Sequence, residues 1–87
     1  MTIPDNVDIL GMPYEVVRDQ CDGDENGFCS QSRRVICVRE GLPDGYAAQV
    51  YLHELIHAVL FQLMREEGED EQLVQGLAIG LSKALGL

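Results

Sequence analysis

The chain has 87 residues, 46% of them hydrophobic and 24% charged, which is the size and composition of one folded soluble domain. Its 15 acidic and 6 basic side chains leave a formal net charge of −9, a surface that repels phosphate and argues against binding to nucleic acid or to an anionic membrane. No apolar stretch is long enough to span a bilayer, and Met1 to Asp8 carries acids and a proline where a signal peptide would carry an apolar run.

From the N-terminus, Asn6 to Arg18 reads as two short strand segments. Val7, Ile9 and Leu10 precede a bend at Gly11-Met12-Pro13, and Tyr14, Val16 and Val17 follow it. Asp19 to Asn26 is acidic and turn-rich, with Asp22, Gly23 and Asp24 at its centre, and is expected to be a loop. Phe28 to Ser32 is a further strand candidate, Ser30 to Arg33 a turn, and Arg34 to Arg39 a strand by its β-branched content.

Leu42-Pro43-Asp44-Gly45 punctuates the chain ahead of its longest element. From Asp44 to Glu66 apolar residues recur at helical spacing, and Gly68 is placed to take a left-handed cap. Asp70 then caps a last helix, Glu71 to Leu85, whose apolar stripe reads Val74, Leu77, Ala78, Leu81 and Leu85. There are no repeats and no linkers, so residues 1–87 read as a single domain.

The long helix carries His53-Glu54-Leu55-Ile56-His57, and these are the only two histidines of the chain. Positions i and i+4 of a helix share a face, with β-carbons about 6 Å apart, so two imidazoles there can reach one ion at about 2.0–2.1 Å. Glu54 is rotated by about 100° from His53 and is poorly placed to join the same shell. It can still hydrogen-bond a water on the metal, which is the general-base position of zinc hydrolases. The helix is apolar nearly all round, so unpaired polar groups on it would be costly without a metal to hold. An ion would also add folding free energy to a small core.

A catalytic zinc site has three protein ligands and an open position. With no third histidine, the remaining ligand must be Asp, Glu or Cys. The Glu67-Gly68-Glu69-Asp70-Glu71 turn returns the chain beside the long helix, and Glu71 shares a face with Val74, Ala78 and Leu81. Glu71 is therefore the expected third ligand and Glu69 the second choice. Cys21, Cys29 and Cys37 lack paired zinc-ligand spacing, and their odd number argues against a disulfide framework. They are expected to be free thiols in a reducing cytoplasm, with Cys37 a small core residue. Tyr14, Tyr46, Tyr51 and the Arg33-Arg34 pair are available as oxyanion donors, and spacing selects none of them.

The HExxH helix, followed by an acidic turn and a short amphipathic helix, resembles the small zincin-like proteins of bacteria and their phages. The nearest comparison is with metallopeptidases related to the ImmA/IrrE group. Ile9-Leu10-Gly11-Met12-Pro13-Tyr14 and Val35-Ile36-Cys37-Val38 ahead of the helix match the upstream pattern. The resemblance implies a minimal α+β fold, with a three-stranded antiparallel sheet covering the motif helix and a C-terminal helix behind it. As in gluzincins, it implies a third ligand from a glutamate on the following helix, here Glu71. Together these readings predict a zinc-dependent peptidase acting on a peptide or protein substrate, with His53, His57 and Glu71 holding Zn2+ and Glu54 as general base. The rival expectation is a non-catalytic, zinc-stabilised binding or regulatory protein, phage-encoded and acting on a host partner.

Overall fold

The structure is a computed structural model that describes residues 2–21, 25–65 and 69–86. It is α+β, with strands β1 (Asn6–Ile9), β2 (Met12–Asp19), β3 (Gly27–Ser30) and β4 (Val35–Arg39), then helices α1 (Asp44–Gln62) and α2 (Glu71–Ala84). The sheet differs from expectation. It has four strands in the order β1-β2-β4-β3, and it is mixed, because β2 and β4 run parallel while the outer pairs are antiparallel.

The expected bend at Gly11-Met12-Pro13 is instead a hairpin turn one residue earlier. Leu10 and Gly11 both adopt positive φ, 54° and 88°, as a two-residue turn with right-handed strand twist requires, and Asp8 Oδ1 accepts from the Gly11 amide at 2.6 Å. Met12 and Pro13 therefore belong to β2. Val16 donates to the Asp5 carbonyl beside β1, and Glu15 donates to the Arg34 carbonyl beside β4. That alternation aims the Pro13 nitrogen toward the β4 side, ahead of the first β2–β4 pair at Glu15 and Val35, so no ladder bond is lost there.

One face of the sheet packs on α1. Ile9, Tyr14, Val16, Ile36 and Val38 meet Ala47, Val50, Tyr51 and Ala58, which form the core. β3 is an edge strand and lies unusually close to the helix. A β-carbon at Gly27 would sit 2.8 Å from the Cys37 carbonyl oxygen, 2.8 Å from Val50 Cγ1 and 3.3 Å from Glu54 Cγ, so only glycine permits this approach.

α1 stops at Gln62, short of the expected Glu66, because the chain closes a Schellman cap there. The Met64 amide donates to the Phe61 carbonyl and the Arg65 amide to the Leu60 carbonyl, with Met64 left-handed at φ 58°. The cap expected at Gly68, and the end at Glu66, fall outside the described residues, as do Glu67 and the loop centre at Asp22, Gly23 and Asp24. Asp70 caps α2 as expected, accepting from the Leu73 amide at 3.1 Å.

The buried face of α2 keeps only Val74 and Ala78 of the expected stripe. Val74, Ala78 and Ser82 are buried, whereas Leu77, Leu81 and Leu85 are exposed. Among the described residues, α2 packs on α1 and on no strand, and the helix is turned so that Glu71 and Gln75, one turn apart, face the α1 histidines. Val74, Ala78 and Ser82 follow at the spacings that share that face. Among the described residues, no helix is long and apolar enough to cross a membrane.

Candidate metal centre

His53 and His57 lie one turn apart on α1, on the side that faces α2. Their Nε2 atoms are 3.2 Å apart. Glu71, in the first turn of α2, brings its carboxylate to both, with Oε2 3.1 Å from His53 Nε2 and Oε1 2.8 Å from His57 Nε2. Among the described residues, His53, His57 and Glu71 form a cluster able to hold a metal ion. Glu69, the second choice for third ligand, is outside that cluster and exposed.

The chemistry of the donor set favours a cation among the three. Gln75, one turn after Glu71, turns its amide oxygen to His53 Nδ1 at 2.6 Å. That contact places the ring proton on Nδ1 and leaves Nε2 as a bare lone pair in the neutral imidazole. A bare nitrogen 3.1 Å from a carboxylate oxygen is a repulsive pair of acceptors unless a proton or a metal ion comes between them. For bonds of about 2.0–2.1 Å in tetrahedral array, ligand atoms are about 3.3 Å apart. One ligand atom from each of the three residues lies within 4.8 Å of the others, close enough to share one ion. Two nitrogens and one carboxylate oxygen suit a borderline divalent ion such as zinc. The Glu71 side chain is 68% exposed, and all three residues line one cleft.

Gln75 was not singled out in the sequence, although its position four residues after Glu71 puts it on the same face of α2. Phe61 was likewise missed. Its ring stacks on His57 at a centroid distance of 5.8 Å and limits that imidazole's rotation.

Glu54 is buried beside the cluster and projects into the same cleft, which is also lined by Glu25, Asn26, Tyr46 and the β3 residues Gly27 to Cys29. Burial pushes its carboxyl up to about 7; His53 pulls it down, while the charges of Glu71 and Glu25 add to the rise. A carboxylate of this kind exchanges protons near neutral pH. Cys29, on β3, faces the helix, and burial followed by the Glu54 charge pushes its thiol up to about 12.

The oxyanion candidates separate cleanly. Tyr46 lines the cleft, and its hydroxyl accepts from Asn26 Nδ2 at 2.8 Å, leaving the phenol hydrogen free to donate. Tyr14 and Tyr51 are in the core, and Arg33 and Arg34 lie in the β3–β4 turn, outside the cleft lining. The three cysteines are unbridged, with Cys21 Sγ 3.5 Å from Cys37 Sγ behind the sheet, and none belongs to the metal cluster. Compared with known proteins, the chain matches no family model, no curated protein and no solved structure.

Proposed function

We propose that the chain is a zinc-dependent metallopeptidase built on a minimal zincin-like fold of the ImmA/IrrE type. The observation that carries this reading is the convergence of His53 Nε2, His57 Nε2 and the Glu71 carboxylate beside a buried carboxylate that is not itself a ligand. Zinc held by His53, His57 and Glu71 would supply Lewis-acid chemistry to the hydrolysis. Glu54 takes a proton from the water whose oxygen bonds to the peptide carbonyl carbon, and returns it to the nitrogen of the leaving amine as the C–N bond breaks. Gln75 holds His53 in the tautomer that offers Nε2 to the ion, and Phe61 steadies His57. Tyr46 donates to the oxygen that becomes negative when the carbonyl is attacked.

A peptide is the favoured substrate because β3 has a partner on one side only, and its residues Gly27 to Cys29 line the cleft. An extended chain can pair with such an edge and present a carbonyl to the centre. Three free thiols fit a reducing compartment such as the cytoplasm. The test is Glu54→Gln. Wild-type protein loaded with zinc is expected to cleave peptides, and the variant is expected to bind the metal as well as wild type and lose cleavage. Zinc-loaded wild type that cuts no member of a peptide library would overturn catalysis and leave a zinc-stabilised binding protein.

A further inference from the structure

The cleft has a charge pattern that the metal centre does not account for. Among the described residues lining it, Glu25, Glu54 and Glu71 are acidic and none is lysine or arginine. Glu71 is taken up by the histidines. Glu54 is 8% exposed and lines the cavity. Glu25 stands at the entrance to β3, and its carboxylate makes no ion pair with any described residue.

The position of Glu25 is nonetheless held firmly. Arg39 Nε donates to the Glu25 carbonyl at 2.8 Å, its Nη2 donates to the Cys21 carbonyl at 3.1 Å, and its amide donates to the Asn26 carbonyl at 2.7 Å. The arginine thus fixes the backbone at this corner while the Glu25 side chain stays on the cleft wall. Glu25 and Glu54 line the same cleft.

From this we infer that the cleft selects peptides carrying a cationic group, a basic side chain or a free N-terminal ammonium, which pairs with Glu25 when the backbone lies along β3. The inference rests on the peptidase reading and adds its substrate class. A ligand ammonium near Glu25 would be attracted to this acidic lining, whereas an acidic peptide would be repelled by it.

The experiment uses zinc-loaded protein and matched peptides with lysine, norleucine or glutamate at each position flanking a central bond, each with a free or an acetylated N-terminus. Cleavage is followed for wild type, and binding is followed separately by fluorescence anisotropy on Glu54→Gln. Lysine peptides, or those with a free N-terminus, are expected to be preferred over their neutral counterparts by about tenfold, and glutamate peptides to be disfavoured. Whether the gain follows the side chain or disappears on acetylation identifies which ammonium is read. Glu25→Gln should abolish the preference and Glu25→Lys should reverse it. Glu15→Gln, the same change in net charge at an exposed position outside the cleft, should leave it intact. Peptides bound or cleaved without charge preference, or a preference that survives Glu25→Gln, would overturn this inference and leave the peptidase reading standing. Failure to bind or cleave any peptide would overturn both.

Discussion

Replacing Gln75 by leucine tests the architecture of the centre without removing a ligand. The Gln75 oxygen sits 2.6 Å from His53 Nδ1, a short hydrogen bond that fixes both the tautomer and the ring plane. Loss of such an outer partner costs about 10- to 100-fold in metal affinity. Gln75 is exposed, so water can replace part of the interaction, and the lower end of that range applies. The expected loss is about tenfold, equivalent to about 1.4 kcal/mol. Gln75→Glu keeps an acceptor at the same reach and should bind metal at least as tightly as wild type. Competition with a chromogenic chelator for zinc or cobalt measures the difference, with circular dichroism to confirm that α2 is intact. Unchanged affinity in Gln75→Leu, or equal weakening in both variants, would refute the role given to this residue.

Gly27→Ala should destabilise the fold by about 1–3 kcal/mol in a denaturant titration, because the added carbon meets a fixed carbonyl oxygen at 2.8 Å and Val50 at the same distance; no loss would mean that β3 is less closely seated on α1. Met64→Gly should raise stability by about 0.5–1 kcal/mol, since a left-handed residue that is 92% exposed gives up strain and little packing; a destabilised variant would contradict the cap at that position. Burial pushes both Cys29 and Cys37 up to about 12, so iodoacetamide at pH 8 should leave both unlabelled, by peptide mass spectrometry, until denaturant is added. The same shifts lie above the unfolded value of 9.0, so the stability they contribute is present below that pH and declines as pH rises toward 12. Rapid labelling of the native protein would contradict this burial.

The metal cluster was legible in the sequence because helical geometry is local. The i, i+4 spacing of His53 and His57 needs no tertiary information, and Asp70 as a cap set the register that turned Glu71 inward. The sheet was less legible because its order depends on non-local pairing. β4 inserts between β2 and β3, and neither the hydrophobic pattern of Val35–Arg39 nor its turns encode that neighbour. Two local rules also misled. Glycine is the usual left-handed cap, and here Met64 takes that conformation just after α1. Apolar content is the usual guide to a buried helix face, and α2 buries Val74, Ala78 and Ser82 while leaving Leu77 and Leu81 outside. Gln75 was missed for the same reason, since a glutamine on a polar helix face has no distinguishing pattern until its partner histidine is known.

The most direct test of the account is the zinc content of the purified protein after dialysis into metal-buffered solution, determined by elemental mass spectrometry. Wild type is expected to retain about one equivalent, and His57→Ala and Glu71→Ala to retain essentially none. Wild-type protein that retains no zinc, or variants that retain as much as wild type, would contradict a centre built on His53, His57 and Glu71.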